Sequence, residues 1–539
     1  MFYKEGETAI ERHIGPPKPL NKPITGSEVA KIAKTMSNNK GYVNIPMELV
    51  KYAPQNAHNK IATMLNNIFE KHIDIDTGSA DLIPLQKPPP KKKGPVKNLR
   101  PINLLLVIRK ILSKLGLKRA ENNITDYLSL SQCAYTKGRS TTVIVWAYRW
   151  LIAKVQVCEI VIYVTGIDMS SAFDTIHRDE LLEISKQFLD EDGQRILRVL
   201  LSNTTIRIRI KGAETESIAT NIGGPQGDSY SGPQFTTYFE NALTEVRTEV
   251  KIELSNQTLP EEFIYADDYD NLTTDQNKQE LFKEKTPDIL RAHNLMVNDD
   301  KTEETILKRN KHDKKSRTTN EPWRDTIKLG SKLGDKEDIQ RRKQLSQGAM
   351  NKMEEILKKH KTVNKNKRLK LYHAIVRSVL MYNSCTWGMS KKDEDDIDAF
   401  HRRQLRRVLG VKYPTIMRNE AVYRLSKTKP LSVEITKSRW KMFGHVLRMN
   451  EGTPARLAMK FYFTKTGHKK FRGRPRTTIV TTINRDIKRT QKKFKNFDIK
   501  PIKTELDLRN VRVKSLNRKH WQKRVSMITA AAYSANTFT

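Results

Sequence analysis

Cysteine is scarce in this chain: Cys133, Cys158 and Cys385 are the only three in 539 residues. Their scatter excludes a disulfide framework and a zinc knuckle, and all three read as packed thiols. The first fifteen residues lack a signal-peptide core, because Lys4, Glu5, Glu7, Glu11 and Arg12 interrupt them. No apolar run reaches the length of a membrane span; the best, around Trp150–Ile167, is broken by Lys154, Gln156 and Glu159. An intracellular protein that does not enter the membrane is expected. Hydrophobic residues make up 37%, low for a globular protein yet too many for a disordered one.

Acidic residues are also short relative to basic ones. Lys and Arg number 99 against 60 Asp and Glu, a net charge of +39. A compact body so charged repels itself unless it meets a polyanion. Nucleic acid fits, since each neutralised phosphate releases a counterion. From residue 401 onward there are 36 basic residues against 7 acidic ones, so the last quarter carries most of the surplus.

Helical spacing of Ile61, Met64, Leu65 and Ile68 predicts a helix within residues 1–80. Pro88-Pro89-Pro90-Lys91-Lys92-Lys93-Gly94 suits neither helix nor central strand, and reads as an exposed basic loop between two short strands. Strands are predicted at Ile160–Asp168, at Thr205–Lys211 with Arg207 and Arg209 on a basic face, and at Phe263–Tyr269. Residues 309–322 read as a surface loop. Tyr372, Ile375, Val376, Val379 and Leu380 mark an amphipathic helix. No internal repeat is evident. The pattern is α+β to about residue 330 and mainly helical beyond.

The chemistry-bearing residues are acidic. Asp168 closes an apolar strand, and about a hundred residues later Asp267-Asp268 interrupts another apolar stretch. Two successive Asp in a strand point to opposite faces, which suits packing poorly. At a tight hairpin both can reach a shared cation. Crowded carboxylates raise one another's pKa unless a hard divalent ion neutralises them. Two Mg²⁺ on such a cluster suit in-line phosphoryl transfer. The plainer reading, turn residues and helix caps, stands beside it for either motif alone.

Five ordered segments decide between them. Ile167-Asp168-Met169-Ser170-Ser171-Ala172-Phe173-Asp174, Gly224-Pro225-Gln226-Gly227-Asp228-Ser229-Tyr230-Ser231 ending in Phe235, Tyr265-Ala266-Asp267-Asp268, Asn298 with Lys301-Thr302-Glu303, and Lys328-Leu329-Gly330-Ser331 follow one another. Together they resemble four palm motifs and the primer-grip segment of reverse transcriptases from non-LTR (LINE-type, RTE-like) retrotransposons. The resemblance runs from about residue 80 to 490.

It implies a right-hand polymerase with fingers, a palm bearing an antiparallel sheet, a helical thumb and a basic, mainly helical C-terminal region. The corresponding boundaries are 1–80 for an N-terminal extension and the start of the fingers, 81–335 for fingers and palm, 336–410 for the thumb and 411–539 for the basic region. Asp168, Asp267 and Asp268 would hold two Mg²⁺ (or Mn²⁺) ions. Phe173 would lie beneath the sugar and exclude a 2′-hydroxyl. Gln226 and Gly227 would line the incoming base and template, and Lys301 would protonate the leaving pyrophosphate.

In the fingers, Lys87 and Arg100 fall where the family has a Pro-Lys … Tyr-Arg-Pro-Ile region, Arg100 clamping the triphosphate. Gln132 to Ser140 resembles the template-contacting segment, with Arg139 in it and Ala134-Tyr135 in place of Gly-Phe. By the same resemblance Lys328 and Gly330 would belong to the primer grip. Tyr382-Asn383 with Trp387-Gly388 resembles a thumb segment, Asn383 standing where glycine is common. Arg439-Trp440 to Met449 resembles the C-terminal regions of RTE-type elements. Arg472-Gly473-Arg474-Pro475-Arg476 resembles an AT-hook core, suited to an A·T minor groove, though a basic solvated linker is the plainer reading. His445 reads as a packing residue.

Gly232 in place of a proline, and Asp270 just after the paired aspartates, depart from the family pattern. The implied partners are an RNA template, a DNA primer or target and dNTPs, in the nucleus or a ribonucleoprotein particle. No endonuclease-like segment is recognised at the N-terminus. Two other readings remain: a catalytically retired nucleic-acid-binding protein, and a group II intron maturase.

Overall fold

The computed structural model describes residues 3–4, 9–38, 45–87, 95, 98–170, 172–210, 212–252, 259–298, 302–310, 321–358, 363–411, 414–473 and 475–536. Eleven strands are described. They are β1 (Ser79–Gln86), β2 (Leu99–Leu105), β3 (Ile162–Ile167), β4 (Thr204–Ile210), β5 (Ala213–Glu214), β6 (Ile218–Thr220), β7 (Glu262–Tyr265), β8 (Asp268–Thr273), β9 (Glu303–Leu307), β10 (Ile327–Lys328) and β11 (Ser331–Lys332).

They form three sheets. In the first, β1 runs antiparallel to β2 and parallel to β4. The proline-lysine segment expected between two strands does connect β1 and β2; the loop itself lies outside the described residues. The second sheet has the order β7-β8-β3-β9 and is antiparallel throughout. The third is the β10–β11 hairpin. Separate sheets with helices around them form the α+β arrangement expected.

β4 departs from its expected character. Arg207 and Arg209 both pair with buried Asp81 of β1, at 2.9 and 2.7 Å, so the basic face is partly neutralised from within. Ile210 is exposed, because only the first part of β4 lies beside β1.

The helix Gln55–Glu70 buries Leu65 and Ile68, as its spacing predicts. The amphipathic segment around Tyr372 is helical but includes a π-helical turn, Tyr372–Arg377. Its i→i+5 bonding widens the repeat, so Tyr372, Val376 and Leu380 are buried while Ile375 is exposed. The 309–322 loop lies largely outside the described residues.

The helix Thr141–Val157 is apolar nearly all round and correspondingly buried. Trp146 and Trp150 on it share one core with Ile162 and Val164 of β3, Phe263 of β7 and Leu272 of β8. Trp440, Phe443, Ile483, Trp521 and Ile528 belong to that same core. The C-terminal helices therefore buttress the palm sheet instead of forming a detached basic appendage. Arg439 and Asp486, both buried, pair at 3.0 Å between two of these helices. No described helix is long and apolar enough to cross a membrane.

Candidate active site

The palm register brings the acidic motifs together. Ile167 of β3 pairs with Tyr269 of β8, so the next residue along each strand places Asp168 beside Asp268. Asp267 lies in the two-residue turn between β7 and β8, whose last pair is Tyr265 with Asp268. Ala266 takes a left-handed φ of 56°, unusual for alanine, as tight hairpin turns demand. Its N–H donates to Gln132 Oε1 at 3.1 Å, and Ala134 N–H donates to the same oxygen at 2.9 Å. Buried Gln132 thereby pins the turn carrying Asp267.

Asp268 remains accessible at the hairpin edge while the protein surrounds most of it. Its pKa is pushed up to about 7, first by desolvation, then by Asp267, Asp270 and Asp168, with Lys328 opposing. That Asp267 and Asp168 both act on Asp268 agrees with the strand register that brings the three together. Among the described residues, no group of three or more His, Cys, Asp or Glu side chains is arranged so that it could hold a metal ion. By chemical type the three side chains still suit a hard divalent cation, since they offer carboxylate oxygens only.

The other motifs assemble around this point. Met169 bridges Val297, and Asn298 N–H donates to Asp168 O at 2.9 Å, joining the fourth motif to the first. Lys301 lies outside the described residues. Phe173 packs its ring on Phe235, centroids 4.8 Å apart, and its carbonyl accepts from Gly224 N–H at 2.9 Å. Gln226 O accepts from Asn103 N–H of β2 at 2.8 Å, and its side chain bonds Asp174. Gly227, at φ 125°, would place a Cβ only 2.6 Å from Asn103 O, so close approach there requires glycine. Arg100 is exposed on β2, and Lys87 follows β1, near enough to act on Asp174.

Several expected nucleic-acid contacts prove to have internal partners. Arg139 donates to Ser129 O at 3.1 Å and Gln132 O at 2.6 Å, bracing the loop that pins Ala266. Lys328 is buried against Asp270 at 2.7 Å. Arg476 pairs with buried Glu321 at 2.7 Å. In each case a guanidinium or ammonium meets a carbonyl or carboxylate of the fold itself. Arg472 is exposed, Arg474 lies outside the described residues, and Gly330 sits at φ 75° in the β10–β11 turn. His445 meets the template-like loop, its Nε2 lying 2.7 Å from Gly138 O.

Sequence reasoning missed the sites' supports. Asp174 is buried, its pKa pushed up to about 6 by desolvation, and its Oδ1 has no hydrogen-bond partner among the described residues. The side chain of Asn103 is likewise buried and unpartnered there. Polar residues inside otherwise apolar segments were the available signal. The departures Tyr135 and Gly232 meet: a Cβ on residue 232 would lie 2.5 Å from the Tyr135 ring, so the small residue admits the larger aromatic ring.

A sheet register that sets Asp168 beside Asp268 and the Asp267 turn is the arrangement expected of a polymerase palm. The sequence profile of the reverse transcriptases (RNA-dependent DNA polymerases) matches residues 89–367, just over half of the chain and all five motif segments. The chain belongs to that family. Among solved structures it resembles apo telomerase from Candida Tropicalis, truncated from its C-terminal domain. That likeness has 17% identity and a TM-score of 0.32, and covers 50% of this chain and 58% of the telomerase chain.

Proposed function

We propose that the chain is the reverse transcriptase of a non-LTR retrotransposon, RTE-like in kind, extending a DNA 3′ end along an RNA template. The observation carrying this reading is the β3–β8 register, which sets Asp168 beside Asp268 and the Asp267 turn. Two divalent ions, Mg²⁺ or Mn²⁺, bound by these three carboxylates supply nucleophile activation and charge stabilisation for phosphoryl transfer.

The chain's own residues do the rest. Phe173, braced by Phe235, sits under the dNTP sugar and fills the space a 2′-hydroxyl needs. Gln226 and Gly227, docked on β2, support the nascent base pair. Exposed Arg100 offers a planar fork to the triphosphate, and Lys87 adds positive charge. Lys301 donates a proton to the departing pyrophosphate. The basic C-terminal region adds positive charge for the nucleic-acid backbone, and a nuclear or ribonucleoprotein setting follows from this reading.

The test is extension from a nick in duplex DNA on an annealed RNA template, with Mg²⁺ or Mn²⁺ and dNTPs. RNA-dependent addition at the nick is expected. Binding of the same nucleic acid with no addition under any divalent ion would favour a retired, purely binding protein.

A further inference from the structure

Asp270 lies two residues beyond Asp268 on β8, on the same face and one pleat deeper. It is 9% exposed, and Lys328, which it meets, is 8% exposed. Asp270 Oδ1 accepts from Lys328 Nζ at 2.7 Å, and Oδ2 accepts from the hydroxyl of fully buried Tyr148 at 2.7 Å. Glu303 Oε2 of β9 lies 3.7 Å from the same ammonium. Directly across the sheet from Asp270 stands Gly166 of β3. A Cβ there would lie 2.6 Å from both Asp270 Oδ1 and Lys328 Nζ. A glycine, a tyrosine hydroxyl and a lysine from three different elements thus accommodate one carboxylate. Burying such a pair removes both charges from water, and apolar side chains often do as well for stability. Its place in the fold points to another role.

Lys328 opens the β10–β11 hairpin, whose turn residues Leu329 and Gly330 have φ of 47° and 75°. Helical segments beyond the palm hold the far side of that turn. Leu329 O accepts from Tyr382 Oη at 3.1 Å, Gly330 O from Arg341 Nη1 at 2.7 Å and also from Arg342, and Ser331 Oγ from Asn383 Nδ2 at 3.1 Å. The hairpin is therefore gripped by the helical region on one side and by Asp270 on the other.

We propose that Asp270 and Lys328 are positioning residues of the polymerase site: their buried pair fixes the Leu329–Gly330 hairpin to the strand that carries Asp268, and so sets where a primer strand meets the carboxylates. This rests on the reading that Asp168, Asp267 and Asp268 hold the metal ions. The pair also places one fixed positive and one fixed negative charge beside them. Removing either member loosens the hairpin, but the two removals change the local charge in opposite senses.

The test uses the full chain and the variants Asp270→Asn, Lys328→Met and Asp267→Ala with Asp268→Ala. Mn²⁺ binding is followed by electron paramagnetic resonance without nucleic acid, and kcat and KM for primer–template are measured separately. Asp270→Asn should weaken Mn²⁺ binding and Lys328→Met should tighten it, each by roughly tenfold for one charge nearby. Both should raise the primer–template KM more than they lower kcat. Mn²⁺ shifts in the same direction, as a general loosening of the fold would give, or an unchanged KM, would overturn the role of the pair. Should Lys328→Met not fold, the near-isosteric Asp270→Asn decides: weaker Mn²⁺ binding with a raised KM supports the proposal, and wild-type values refute it. A double-alanine variant that still incorporates nucleotides would remove the metal reading and this role together.

Discussion

Ile167 and Tyr269 face one another across β3 and β8, and that single pairing places Asp168 beside Asp268. The two aspartates are a hundred residues apart in sequence. Slipping the register by one residue would turn every side chain of one strand to the opposite face. The pairing is held by packing on both sides: Tyr269 is buried against Phe239 and Phe282, and its hydroxyl donates to Glu262 at 3.0 Å.

Sugar selection should depend on Phe173. The ring packs on Phe235 and the backbone of Phe173 is held by Gly224 N–H, so truncation removes a placed ring and opens space. Phe173→Ala should raise ribonucleotide incorporation relative to deoxynucleotide incorporation by roughly tenfold or more, a difference of about 1–3 kcal/mol in discrimination. Single-nucleotide insertion kinetics with dNTP and rNTP would show it; unchanged selectivity would remove the role.

His401 should make the helical region acid-sensitive. It is buried between Tyr372 and Tyr423, with neither ring nitrogen hydrogen-bonded among the described residues, and desolvation lowers its pKa to about 3 from 6.5. A histidine depressed in the folded state favours folding fully above pH 6.5; as pH falls toward 3, the unfolded chain takes up a proton that the folded chain refuses. The loss can reach about 1.4 kcal/mol per pH unit. Between pH 7.5 and pH 5 the melting temperature of the wild type should fall further than that of His401→Phe, and a difference that stays constant with pH would contradict the penalty.

The basic C-terminal stretch should separate into structural and binding residues. Arg476 is held by Glu321, whose side chain is fully buried, whereas Arg472 is exposed. Arg476→Ala should cost about 1–3 kcal/mol of stability, eased by the second partner Arg324. Arg472→Ala should leave melting unchanged while weakening nucleic-acid binding and flattening its salt dependence by about one counterion. Calorimetry and binding titrations at several salt concentrations would check both. Equal effects of the two substitutions on melting would contradict the distinction.

Much of the candidate site's assembly was legible because its motifs are short, ordered and chemically constrained. Asp168, the Asp267-Asp268 pair, Phe173 and the Gln226-Gly227 turn each carry a local requirement that sequence displays. The charges were less legible. Arg139, Lys328 and Arg476 look alike as surface cations in a basic chain, and only tertiary packing reveals the carbonyl or carboxylate each one meets. The same holds for Gly232 and Tyr135, two separate departures in sequence that form one contact in space. The union of the C-terminal helices with the palm core was hidden by their surface charge. Their buried faces carry Trp440, Phe443 and Trp521, which periodicity alone does not assign to a partner.

The most direct measurement is primer extension on poly(rA)/oligo(dT) with Mg²⁺ or Mn²⁺, comparing the wild-type chain with Asp168→Ala and with Asp267→Ala plus Asp268→Ala. The wild type should incorporate dTTP, while each variant should still bind the hybrid yet lose incorporation by roughly three or more orders of magnitude. Equal incorporation by wild type and variants would contradict the account at its centre.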